Sequence, residues 1–177
     1  RLPNLIGECC IMDKYLLLNR GVLQPQGMDN LKLVVAQIEK DTENNPLFYE
    51  DFFSDPPRKW EPRYDNAYPN VIYDEKYKKY RCYYTLCSKD KDSASASRTR
   101  RDYRPSPTRI ASLGYAESDD GVHWEKPNLG FVDFEGSFEN NLLFRYAHGT
   151  GVFLDKEETD PAKRYKMVTK VEYPGHR

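Results

Sequence analysis

The chain has 177 residues, enough for one domain core or for part of a larger one. Its 27 Lys and Arg stand against 28 Asp and Glu, and a net charge of −1 gives no long-range pull on phosphate backbones or anionic membrane, so neither nucleic acid nor a membrane surface is expected as a partner. No apolar stretch approaches the roughly 18 to 20 residues that span a bilayer, and aromatics at 14%, with 14 tyrosines among all residues, favour strands over helical bundles.

Between Asp13 and Glu39 two apolar runs, Tyr15 to Leu18 and Leu31 to Ile38, are separated by Gly21, Pro25, Gly27 and Asn30. Two strands fit best, since Val34, Val35 and Ile38 are β-branched; a helix from Met28 to Lys40 is the competing reading. From Lys40 to Asn66 the composition turns to Asp, Asn, Pro and aromatics, and Pro46, Pro56, Pro57 and Pro62 predict a long wrapped connection pinned by Leu47, Phe48 and Trp60. Val71 to Asp74 and Tyr80 to Tyr84 flank a short charged turn and predict a hairpin. Ser88 to Pro107, rich in Ser, Arg and Asp, predicts a loop. A second hairpin is expected where Arg109 to Ser118 meets Val122 to Glu125 across Asp119-Asp120-Gly121.

Cys9, Cys10, Cys82 and Cys87 lack paired C-x-x-C spacing and nearby histidines, so no metal site is expected, and no cofactor motif is present. Their pairing is left open between disulfides and buried thiols, with Cys82 placed in a strand and Cys87 just past its end. The chain opens at Arg1 and stops at Arg177 shortly after the strand-like run from Tyr165 to Tyr173, and a fragment of a longer protein is expected.

The chain also echoes itself. Val71-Ile72-Tyr73-Asp74 with Tyr80-Arg81-Cys82-Tyr83 recurs as Val152-Phe153-Leu154-Asp155 with Tyr165-Lys166-Met167-Val168, at an offset of 81 residues for the first strand and 85 for the second. A sheet module repeated after long loops is the sequence form of a β-propeller blade, each covering its neighbour's apolar face. An all-β fold is expected, with an N-terminal extended segment over 1–62, a first blade over 63–135 and a truncated second over 136–177. The rest of the ring would come from further sequence or another protein chain.

The run from Tyr64 to Asp74, Tyr64-Asp65-Asn66-Ala67-Tyr68-Pro69-Asn70-Val71-Ile72-Tyr73-Asp74, resembles the first blade of five-bladed propeller proteins of the glycoside-hydrolase-like group. Gly114-Tyr115-Ala116-Glu117-Ser118-Asp119-Asp120-Gly121-Val122-His123-Trp124-Glu125-Lys126-Pro127 is similar to the blade-ending hairpin of that group and of the wider furanosidase and arabinanase clan. The resemblance implies a carbohydrate partner, glycosidase-like activity on glycans outside the cell, and carboxylates at the mouth of a central channel. The position where that clan carries its first-blade Asp matches Tyr68, which leaves Asp65 as the nearest candidate catalytic carboxylate. Where a second-blade acid is common, the chain reads Ala147-His148-Gly149-Thr150-Gly151.

Asn66, Tyr68 and His148 are accordingly the candidate substrate-binding residues. Asp65 and His148 each have a plainer alternative, Asp65 as an Asx-turn acceptor and His148 as a hydrogen-bonded loop histidine. Asp74 and Asp155, occupying equivalent repeat positions, read as hairpin-closing residues, and Trp124 as a core aromatic with sugar stacking as the minor reading. One fold hosts many functions, so a second reading stands beside the glycosidase: a non-catalytic structural or interaction subunit that kept the blades and lost the acids.

Overall fold

The computed structural model describes residues 36–64, 66–90 and 106–173. The chain divides into two compact units, Arg1–Lys40 and Asp41–Arg177, and all regular structure among the described residues lies in the second. The strands expected between Asp13 and Glu39, and the helix weighed against them, fall outside the described residues except for 36–40, which are exposed and carry no regular structure. Cys9, Cys10 and most of the loop expected from Ser88 to Pro107 also lie outside them.

The fold is all-β, in two antiparallel sheets. Strands β1 (Asn70–Asp74), β2 (Lys79–Lys89), β3 (Ile110–Ser118) and β4 (Leu142–Arg145) form a four-stranded meander in the order β1-β2-β3-β4. Strands β5 (Ala147–Leu154) and β6 (Tyr165–Val171) form a second, two-stranded sheet. The fourth strand is therefore Leu142–Arg145, and the expected partner of β3, Val122 to Glu125, supplies only the isolated bridge Glu117↔Glu125. Trp124 turns inward there to meet the Phe48 ring at 5.7 Å, which takes the segment out of the ladder. No helix among the described residues is long and apolar enough to cross a membrane.

The first half of β2 is mostly half-buried, whereas Tyr84 to Ser88 are buried without a break, with β3 at one edge and the Arg63 bridge of the incoming segment at the other. Tyr84, Leu86, Leu113 and Leu142 are fully buried, each contributing about 1.5–3 kcal/mol of apolar burial. The Leu86 and Tyr84 side chains close over Gly114, where a Cβ would sit 2.8 Å from a Leu86 methyl carbon and 2.9 Å from Tyr84 Cζ, so a larger residue would have to displace these buried side chains. Cys87, expected past the strand, lies inside it. Cys82 and Cys87 are both buried, and five positions apart on a strand they point to opposite faces, so no disulfide joins them. Burial pushes the Cys82 thiol up to about 12.

The wrapped segment is fastened by both means open to it. Phe48 and Trp60 pack on the core, as the sequence predicts, while Leu47 is 40% exposed. Beneath them runs a buried polar network. Lys126 Nζ lies 2.6 Å from Glu61 Oε2, 2.7 Å from Asp51 Oδ2 and 2.8 Å from both the Tyr49 carbonyl and the Tyr64 hydroxyl. The Tyr84 hydroxyl donates to Glu61 Oε1 at 2.6 Å and accepts from Asn141 Nδ2 at 2.7 Å, and Trp60 Nε1 donates to Asn141 Oδ1 at 2.6 Å. Burial first, and then the Glu61 charge, hold the Tyr64 and Tyr84 phenols well above the ordinary tyrosine range, so both stay neutral donors.

The internal repeat holds at the level of register. Val71↔Cys82, Ile72↔Arg81 and Tyr73↔Tyr80 in the first hairpin correspond to Val152↔Met167, Phe153↔Lys166 and Leu154↔Tyr165 in the second. An ion pair repeats with them: Arg81 Nε to Asp74 Oδ2 at 3.0 Å, and Lys166 Nζ to Asp155 Oδ2 at 2.5 Å.

Candidate functional site

Both hairpins break their ladder at the same repeat position. On the first, Asn70 pairs with Tyr83, but the next β2 amide in line, Thr85 N, donates to the Ala67 carbonyl at 2.5 Å, so three residues on one side span two on the other. On the second, the register shifts between His148 and Gly151, which face Lys170 and Val168. With offsets of 81 and 85, Ala67 corresponds to His148, Asn70 to Gly151, Thr85 to Lys170 and Tyr83 to Val168. It is one bulge, used twice. In both copies the bulge contains a residue in the left-handed region. The second copy places Gly149 there at φ 61°, and the equivalent residue in the first is Tyr68 at φ 44°, preceded by Asn66 and Ala67 at 57° and 53°. Glycine is at ease in that region, whereas a residue with a Cβ stores roughly 1–2 kcal/mol there.

The strain has a visible result, since it carries the Tyr68 ring out of the ladder. Tyr68 is 43% exposed and meets the His148 ring edge-on, centroids 5.8 Å apart and planes at 81°. Asn66 Nδ2 approaches the Tyr68 hydroxyl at 3.4 Å. The three residues singled out from sequence as ligand-binding thus meet on one surface, where β1 and β5 begin. Asp65 lies outside the described residues.

Asn70 locks the two hairpins together under this surface. Its Nδ2 donates to the Tyr68 and Thr150 carbonyls, both at 2.8 Å, and its Oδ1 accepts from Val152 N at 3.2 Å. Beside it the Thr150 and Thr169 hydroxyls bond at 2.7 Å. His148 Nδ1 faces Glu172 Oε2 at 3.3 Å, and Arg109 reaches the same oxygen at 3.5 Å. The backbone of Glu172 is held by Tyr146, its amide donating to that carbonyl at 2.9 Å. His148 Nε2 is buried and makes no hydrogen bond among the described residues.

Glu172 is the site residue that the sequence does not reveal. Its place beside His148 depends on the β5 bulge, and counting outward from the repeated strands puts it one residue out of step.

The other acids found by repetition are structural. Asp74 Oδ1 accepts from the amides of Lys76 and Tyr77 at 3.1 and 3.3 Å, and Oδ2 takes Arg81 and the Tyr165 hydroxyl. Burial acts to raise this carboxyl, but Tyr165, the Tyr77 amide and Arg81 outweigh it and hold it below the ordinary 3.8. Asp155 repeats the pattern, accepting from Glu157 N at 3.1 Å. Trp124 serves the core, its Nε1 donating to the Gly121 carbonyl at 3.1 Å.

No family model, curated protein or solved structure matches the chain.

Proposed function

We propose that the chain is part of a carbohydrate-active, glycosidase-like β-propeller acting on glycans outside the cell. In this reading β1 to β4 make the first blade, β5 and β6 open the second, and the remainder of the ring comes from further sequence or another protein chain. One observation carries it: a tyrosine occupies the left-handed bulge position that the second copy of the module gives to glycine, and its ring is thereby set against His148 and Asn66. Strain kept at one copy of a repeat and absent from the other points to a role in binding rather than in folding. An exposed aromatic ring with an amide and an imidazole beside it suits a polyhydroxylated ligand. Asp65 is the candidate catalytic acid next to this surface in sequence, and Glu172 is a carboxylate that the fold brings to it.

The test joins stability to binding. Tyr68→Gly is expected to keep or raise stability toward urea, by up to about 1 kcal/mol, while losing binding to inulin, arabinan or aryl glycosides measured by calorimetry on the native protein. Asp65→Asn is expected to stop turnover and spare binding. If the native protein takes up none of these probes, or Tyr68→Gly binds as well as the parent, the reading is wrong.

A second reading is favoured by a different observation. β6 pairs only with β5 among the described residues, and Met167, Val168 and Val171 on it are 40%, 74% and 56% exposed. A non-catalytic subunit that docks this strand in an assembly would show that edge, and would leave glycan binding absent.

A further inference from the structure

At the other end of the two hairpins lies a cavity that neither the Tyr68 surface nor the strand ladders explain. A cleft of about 620 Å3 separates the turn after β1 from the segment between β5 and β6, within the size range of small-ligand sites. β1 runs from Asn70 to Asp74, so this cleft is a full strand length away from His148 and goes beyond the function proposed above.

Its lining is unbalanced in charge. Lys76, Arg81, Lys156 and Arg164 face it against only Asp74 and Glu75. Arg81 is neutralised by Asp74 at 3.0 Å and Lys156 by Glu75 at 2.5 Å. That leaves Lys76 and Arg164 with no carboxylate partner among the described residues. Among the described residues the Lys76 ammonium meets only the Tyr77 ring, 5.0 Å from its centroid, and a contact of that kind at an exposed site is weak enough to yield to an anion. Arg164 commits Nε to the Glu158 carbonyl at 2.9 Å, which fixes the guanidinium and leaves its two terminal nitrogens for a ligand.

The remaining wall is aromatic and polar. Tyr77 and Tyr165 are 56% and 38% exposed, and the Tyr83 hydroxyl makes no hydrogen bond among the described residues. Burial, ahead of the nearby charges, pushes the Tyr83 phenol up to about 12, so at neutral pH it is a donor with no negative charge to repel an anion. The walls are also cross-linked, by Tyr165 to Asp74 and by Lys156 to Glu75. A cleft tied in this way is already formed before a ligand arrives.

The geometry points to a binding site for an anionic saccharide, its carboxylate or sulfate taken by Arg164 and Lys76 and its ring lying against the tyrosines. A bare anion would have no use for the tyrosines, and a neutral sugar none for the two unmatched cations.

Calorimetric titration of the native protein tests this with four probes: trigalacturonate, a sulfated chondroitin tetrasaccharide, a neutral maltotriose and inorganic sulfate. One or both anionic oligosaccharides are expected to bind, more weakly as salt rises, with Arg164→Gln and Lys76→Gln each costing about tenfold, the loss of one charge-assisted hydrogen bond. Tyr68→Gly is expected to leave this binding unchanged, which separates the cleft from the surface at the other end of the strands. Lys76 is on the surface, so its variant reports on binding without risk to the fold. Equal binding of maltotriose, binding of sulfate as tight as that of the oligosaccharides, indifference to both substitutions, or no binding of either anionic oligosaccharide would each overturn the assignment.

Discussion

Lys126 shows how much a single side chain holds in place. Its ammonium is the common partner of Glu61, Asp51, Tyr64 and the Tyr49 carbonyl, and Glu61 is wholly buried. Removing one partner of a buried pair strands the other, so Lys126→Met is expected to cost about 3–5 kcal/mol in urea unfolding, and the double variant with Glu61→Gln to recover part of that. A loss below about 1 kcal/mol would show that the network is incidental to stability. The resemblance marked Asn66, Tyr68 and His148 as candidate ligand-binding residues, by the clan positions that Tyr68 and His148 occupy. It gave no sign of Glu61, Lys126 or Glu172, whose roles depend on partners tens of residues away.

At the level of the strand pair, the hairpins were legible where the repeat is regular and illegible where it is interrupted. β1, β2, β5 and β6 follow from β-rich runs on either side of a turn and from the echo of one pair in the other. β4 did not, since Leu142–Arg145 is too short to stand out and Val122 to Glu125 follows a strong turn signal that the structure uses for a single bridge. The hairpin-closing role of Asp74 has a consequence in pH. Its carboxyl is held below 3.8 in the folded chain, so its contribution is complete above that value and fades as pH falls through the lower folded value. Unfolding measured along a pH series should show Asp74→Asn less stable than the parent by a constant margin at about pH 5 to 8, with the gap closing below about pH 4. A gap that widens on acidification would mean that the carboxyl is not held low by these donors.

For the molecule as a whole, the all-β character and the duplication were readable from sequence, while the extent of the first sheet was not. Two-stranded sheets are marginal by themselves, and β6 leaves its outer edge without a strand among the described residues. Its exposed Val168 makes that edge adhesive, so this 177-residue chain is expected to self-associate across a concentration series in sedimentation velocity, and Val168→Lys to suppress it. A parent chain that sediments as a monomer at every concentration would remove the argument for a docking edge. Asn70 adds a last point. Its amide group satisfies three backbone groups, one in the segment before β1 and two in β5, a task for which aspartate lacks the protons and glutamine has the wrong reach. Opening either module at this seam breaks hydrogen bonds made with the other, so the two hairpins are expected to unfold in one step in thermal denaturation rather than peel apart in stages.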